Sequence, residues 1–159
     1  MGWRSYHRGV DGGELLVYEA AACDEEVVAA VRRLVPQLSS SASMPSFAEV
    51  AEVCESETCV LLLARLDGRI AGMLVLVLFR LPTGLRAWIE DVVTDEAARG
   101  RGVGEALGRE ALRRARQAGA RTVDLTSRPG RAAAVRLYQH LGFERRETGV
   151  YRWRDDGQG

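Results

Sequence analysis

The spacing of hydrophobic positions along this chain changes period several times, and each change marks an element. Residues 14–19 read as a short strand. Asp24 then stands where an N-cap precedes Val27, Val28, Val31, Leu34 and Val35 at helical spacing, which predicts a helix ending at Pro36. The small residues 39–45 form a loop, and residues 47–55 follow as a second short helix. Two β-rich runs, 58–66 and 69–81, are joined by Asp67-Gly68, a dipeptide that tolerates the positive φ angles of a tight hairpin. They are therefore antiparallel neighbours. The second run is almost unbroken over 70–79 and lacks polar alternation, so it needs cover on both faces. After the turn Pro82-Thr83-Gly84, residues 85–93 return as a further strand.

Beyond an arginine-glycine loop, Leu107, Ala111, Leu112, Ala115 and Ala118 fall on one helical face opposite Arg109, Arg113 and Arg116, with Gly119 as the stop. Residues 122–125 read as a short strand and 131–141 as a helix that Gly142 breaks; 143–147 and 150–153 are expected to close the sheet. Residues 1–11 read as a loose start. The strand, helix, strand order of the second half demands a right-handed parallel crossover within an otherwise antiparallel sheet. The expected fold class is α/β (α+β): a mixed, mostly antiparallel central sheet flanked by helices on both faces, as one domain over 1–159 with an ordered core of about 14–154.

Composition narrows the partners. With 159 residues and 47% hydrophobic positions the chain supports one core rather than two. Its 22 basic and 22 acidic residues cancel, which argues against a nucleic-acid face and against attraction to anionic lipid. Every basic residue is arginine. The longest apolar run is too short for a bilayer, and the N-terminus has no apolar leader region, so the protein is expected to be cytoplasmic, with no membrane partner. Cys23, Cys54 and Cys59 lack the spacing of a zinc site, and no metal is expected.

The chemistry centres on Arg99-Gly100-Arg101-Gly102-Val103-Gly104. Three glycines at alternating positions between a strand and an amphipathic helix can aim successive backbone N–H groups at an anion, and the helix dipole adds partial positive charge. Arg99 and Arg101 can neutralise phosphate oxygens with paired hydrogen bonds. A dinucleotide fingerprint fails because Glu105 or Leu107 stands where its third glycine belongs, and a triphosphate P-loop needs a lysine that this chain lacks. A pyrophosphate of another kind remains.

The stretch from Ile89 to Gly104, IEDVVTDEAARGRGVG, resembles the acetyl-CoA signature of the GNAT superfamily of N-acetyltransferases, with Arg99, Gly102 and Gly104 at the Arg/Gln-x-x-Gly-x-Gly/Ala positions. The stretch from Ala134 to Phe143, AVRLYQHLGF, resembles that family's second block, Ala-x-x-Leu-Tyr-x-x-x-Gly-Phe. The resemblance implies acetyl-CoA as co-substrate, its pyrophosphate on the loop and its pantetheine arm hydrogen-bonded to the backbone of Val92, Val93 and Thr94. It further implies that an N–H at Val92 or Val93 polarises the thioester carbonyl. Arg131 stands where many members carry an Asn, and it can approach phosphate instead.

By spacing alone Tyr138 shares a helical face with Ala134, Leu137 and Leu141 and would be a core residue; the resemblance makes it the acid that protonates the leaving thiolate. An amine acceptor must lose a proton before attack, and Glu90 is the first choice of base. Asp91 would point to the opposite face of a regular strand, although a bulge would change which carboxylate looks inward. The acceptor class implied is a primary amine of a small molecule or peptide, its mouth lined by 39–45 and 80–86. A non-catalytic acyl-CoA-binding sensor of the same fold is the alternative. A homodimer could form through the apolar residues 150–153.

Overall fold

The computed structural model describes residues 6–10, 13–128 and 130–155. Six strands form one sheet in the order β1-β2-β3-β4-β5-β6: β1 (Tyr6–Val10), β2 (Gly13–Glu19), β3 (Cys59–Leu66), β4 (Arg69–Leu81), β5 (Gly84–Thr94) and β6 (Val123–Leu125). All neighbours are antiparallel except β5 and β6, which are parallel. Helices α1 (Glu25–Leu38) and α2 (Phe47–Cys54) cover one face, and α3 (Val103–Gln117) covers the other, followed by α4 (Ala132–His140). The mixed sheet with helices on both faces is the architecture expected from the sequence.

Local chemistry accounts for most boundaries. The Asp24 carboxylate accepts from the Val27 N–H at 2.8 Å to start α1, and Ser46 with Glu49 forms a reciprocal capping box on α2. Asp67 and Gly68 both take positive φ, as a two-residue turn of the hairpin type requires. α3 ends in a Schellman motif: Gly119 N–H bonds Arg116 O, Ala120 N–H bonds Ala115 O, and Gly119 is left-handed.

Four expectations are corrected. α1 runs through Pro36 to Leu38; the proline falls in the last turn, where Ser39 N–H still reaches Val35 O and Gln37 Nε2 donates to Arg33 O. Residues 6–10, expected to be loose, pair with β2 as an edge strand, a contact only tertiary structure supplies. Residues 143–147 and 150–153 are not strands. A run of Glu144, Arg145, Arg146 and Glu147 offers no apolar face, while Phe143 alone turns back, its N–H on Tyr138 O and its ring against the α3-side core. On α3 the expected apolar face is interrupted: Glu110 and Arg114 are buried and Ala118 is exposed.

The core lies in two clusters. On the α3 side Leu15, Val17, Leu62, Leu74, Leu76, Ile89 and Leu107 pack together; on the α1–α2 side Val28, Leu34, Leu61, Leu63, Ile70, Met73 and Val93 do so. Residues 70–74 of β4 are buried throughout, as a strand covered on both faces must be. Among the described residues no helix is long and apolar enough to cross a membrane.

Candidate active site at the open edge of β5

The site begins with a fault in the β4–β5 ladder. Met73 pairs with Val93 and Val75 with Glu90, so β5 spends three residues where β4 spends two. The extra residue is accommodated at Asp91, whose φ is 50°. Ile89 faces the α3-side cluster and Val93, four residues on, faces the other; an unbroken strand would place both on one side. The bulge anticipated between the two carboxylates is therefore present. Glu90, just before it, stays by plain alternation on the face of Trp88, whose indole N–H donates to Glu90 Oε1 at 2.7 Å, and both Glu90 and Asp91 are exposed.

Pairing of β5 with β6 covers only residues 87–89. Beyond Ile89, among the described residues, the inner edge of β5 is held by β4 through Val93 and Thr94, while its outer edge over 90–94 has no strand beside it. A strand edge without a neighbour presents alternating N–H and C=O groups to any extended amide-containing chain. Val92, Val93 and Thr94 lie along this opening.

The loop follows directly. Asp95 accepts from Ala97 N–H and caps a single 3₁₀ turn (Glu96–Ala98). Gly100 and Gly102 are both left-handed, with φ of 77° and 78°, a conformation in which a side chain would be strained. Gly102 stands at the N-cap of α3 without a side-chain cap, so the first-turn N–H groups, which no helix can satisfy internally, are available to an anion. Gly104 is needed for a different reason: a Cβ there would come within 3.1 Å of Leu137 and 3.5 Å of Thr94 Oγ1, so α4 rests on this turn.

The loop is braced from two sides, by Arg33 and Gln37, which the sequence reading did not single out, and by Asp67, which it read only as a turn residue. From α1, Arg33 pairs with Asp95 and donates to Ile70 O at 2.6 Å, while Gln37 Oε1 accepts from Glu96 N–H at 2.9 Å. From the β3–β4 turn, Asp67 pairs with Arg101 at 2.8 Å. Arg101, expected to meet phosphate, is thus engaged with Asp67, and Arg99 makes an exposed pair with Glu96 at 3.3 Å. Such surface pairs contribute little and exchange readily for a stronger anion. Only partner identity, invisible in a linear sequence, reveals these contacts.

Tyr138 is half-buried, edge-on to Phe143 with ring centroids 5.9 Å apart. Burial pushes its phenol above the ordinary value, the Arg131 guanidinium pulls it down, and the Glu90 carboxylate adds to the rise. Glu90 and Arg131 are therefore each within electrostatic reach of Tyr138, with Arg131 exposed at the N-cap of α4. Of the expected acceptor mouth, the tip of the 80–86 turn lies about 20 Å along β5 from Glu90, six residues at a strand rise of about 3.3 Å. The 39–45 loop is tied to α1 by Arg32 Nε on Pro45 O at 2.9 Å.

Solved structures share this fold. An acetyltransferase of Trypanosoma brucei superposes with a TM-score of 0.69 at 25% identity, covering 87% of this chain and 98% of its own. A protein of Bacillus halodurans described as a transcriptional regulator gives 0.74 at 27%, with 87% and 99% covered. The aminoglycoside N-acetyltransferase AAC(6')-Iy, in complex with CoA, gives 0.74 at 18%, with 94% and 98% covered. No curated protein matches the sequence. The profile of the Acetyltransferase (GNAT) family matches residues 15–143, and the chain belongs to that family.

Proposed function

We propose that the protein transfers the acetyl group of acetyl-CoA directly to a primary amine of a small molecule or peptide. The observation that carries this reading is the coincidence, at one point of the sheet, of an open strand edge, an uncapped helix start behind two left-handed glycines, and the Glu90–Tyr138 pair. Family membership implies acyl transfer, and the CoA complex of a similar fold supports the donor. The chain's residues fit that donor: the N–H groups at the start of α3 suit a pyrophosphate, with Arg99, Arg101 and Arg131 near, and the outer edge of 92–94 suits an amide-bearing arm.

Acetyl-CoA supplies an activated thioester carbonyl. Glu90, exposed and held by Trp88, accepts the proton of the incoming ammonium directly or through water, which frees the lone pair that attacks. An N–H of Val92 or Val93 donates to the carbonyl oxygen as negative charge develops there. Tyr138, kept protonated by its raised pKa, hands its proton to the departing thiolate. No cysteine is needed: burial, with Cys23 adding to it, pushes the Cys54 thiol up to about 11, where it is protonated at neutral pH and a poor nucleophile.

Thiol release from acetyl-CoA across a panel of primary amines tests the reading. Turnover with at least one amine is expected, and tight acetyl-CoA binding with no turnover on any would turn the site into an acyl-CoA sensor. Tyr138→Phe should lower kcat on the order of 10²-fold with little change in acetyl-CoA affinity; full activity would remove Tyr138 as the acid. Glu90→Gln should shift the pH profile, and an unaltered profile would pass the role to Asp91 or a water relay.

A further inference from the structure

Away from the β5 edge, two thiols meet in the α1–α2 layer. Cys23 lies in the connector between β2 and α1, one residue before the Asp24 cap, and Cys54 is the last residue of α2. Both belong to the apolar cluster under α1 and α2, Cys54 as a buried member and Cys23, half-buried, packed against it. All three cysteines of the chain are free thiols, and Cys59, in β3, belongs to neither cluster.

Two contacts fix where the Cys23 sulfur lies. Cys23 Sγ donates to Phe47 O, at the start of α2, at 4.0 Å, and it is within hydrogen-bond reach of the Cys54 thiol at the other end of that helix. Phe47, Val50 and Cys54 recur at the i, i+3, i+7 spacing of one helical face, so one sulfur can meet both ends. Turning that contact into a bond asks for side-chain rotation rather than a new packing of the helices. The surroundings also set an order of reaction. Cys54 is buried, with Asp24 and Glu55 adding negative charge around it, and holds its proton at neutral pH; Cys23 is the thiol that reaches solvent.

We propose that Cys23 and Cys54 form a redox site: a low-molecular-weight disulfide such as glutathione disulfide converts them to an intrachain disulfide that locks the α1–α2 layer. The Cys23 thiolate attacks one sulfur of the oxidant, releasing a glutathione thiolate and leaving a mixed disulfide on Cys23. Cys54, its proton lost to water, then attacks the Cys23 sulfur and expels the second glutathione. Two protein thiols are oxidised by two electrons, the oxidant is reduced to two thiols, and the protein's two protons pass through solvent to the released thiolates. The ring so closed spans about 30 residues and contains α1, the 39–45 loop and α2. It therefore includes Arg33 and Gln37, which brace the backbone before the glycine loop. This site is independent of the acetyl-transfer reading and stands if that reading fails.

The test equilibrates the full-length protein with glutathione buffers from fully reduced to fully oxidised and counts free thiols after unfolding. Three should fall to one. Mass spectrometry should join Cys23 to Cys54 after cleavage at glutamate, since Glu55 and Glu57 separate Cys54 from Cys59. Dithiothreitol should restore all three thiols. Closing a ring of this length should raise Tm by about 5–15 °C, a rise kept in Cys59→Ser and lost in Cys23→Ser. In Cys54→Ser the mixed disulfide on Cys23 should accumulate. The proposal is overturned by three thiols persisting at the oxidised end, by a bridge to Cys59 or between chains, or by a mixed disulfide that wild type never resolves. A crosslink that leaves Tm unchanged overturns the lock.

Discussion

On the α3 face of the sheet charged groups are buried and paired, whereas on the opposite face the Glu90 carboxylate is exposed and accepts from the Trp88 indole. The closed face shows what the fold does with a charge it must keep inside. Glu110 is 0% exposed and accepts from Arg113 Nε and Nη2 at 2.7 and 2.6 Å and from Arg114 Nε at 2.8 Å, while Arg114 reaches across to Glu19 on β2. Burial alone would push the Glu110 carboxyl up, but the two guanidinium partners hold it below its ordinary value. The open face leaves Glu90 exposed. The bulge at Asp91 turns Val93 toward the α1–α2 cluster, while Glu90, before it, keeps the facing that alternation from Ile89 gives it.

The contrast is broken most severely at Glu110. Glu110→Ala leaves the Arg114 guanidinium buried and only partly paired, and should cost about 3 kcal/mol, a fall in Tm of about 6–12 °C for a chain of this size. The effect carries a pH signature. A carboxyl with a depressed folded pKa contributes stability above its unfolded value of about 4.3 and loses it as pH falls through the folded value. The Tm gap between wild type and Glu110→Ala should therefore narrow below about pH 4, and a gap constant with pH would show that lost packing, not charge, is responsible.

A smaller effect is expected at Gly72, where β4 meets the start of α3. A Cβ there would stand 2.7 Å from Val103 Cγ1 and 3.0 Å from Val93 O, so no side chain fits without moving the first turn of α3. Gly72→Ala should cost about 2 kcal/mol of stability and also raise the Kd for acetyl-CoA, because the same turn carries the N–H groups of the loop. Calorimetry of cofactor binding separates the two consequences; lost stability with unchanged Kd would detach the loop from the packing beneath it.

The smallest changes fall on the bulge itself and have opposite signs. Asp91 holds a φ of 50°, which costs a β-branched residue about 1–2 kcal/mol. Asp91→Val should be destabilising by that amount and should reduce activity by disturbing the backbone of Val92 and Val93 just beyond it. Asp91→Gly should be neutral or stabilising by up to about 1 kcal/mol. If Asp91→Gly also keeps its turnover, Glu90 rather than Asp91 is the working carboxylate; thermal melts and thiol release on the pair decide it.

How much was legible in the sequence follows the range of the interactions concerned. Asp24, Ser46, Asp67-Gly68 and Gly119 act on backbone within a few residues of themselves, and each cap, turn and stop is where its residue type requires it. The loop at 99–104 was legible for the same reason, since its left-handed glycines shape an uncapped helix start through local backbone alone. Arg101 was legible as a cation but not as the partner of Asp67, and Arg33 and Gln37 gave no signal because the backbone they brace lies about 60 residues away.

What the chain's sequence determined by itself is most of the elements from β2 to α4, their caps and the order strand, glycine loop, helix. Tertiary structure decided which faces those elements share. The β1 edge strand exists only because β2 lies beside it, and residues 150–153, alternating as a strand should, stay outside the sheet, with Val150, Tyr151 and Trp153 71%, 96% and 84% exposed. A one-residue bulge reverses the facing of the side chains beyond it, so which way Val92 and Val93 look is decided by the register of β5 against its neighbour and not by β5 alone. Local rules act through bonds a few residues long, whereas facing and register are set by the packing of the whole sheet.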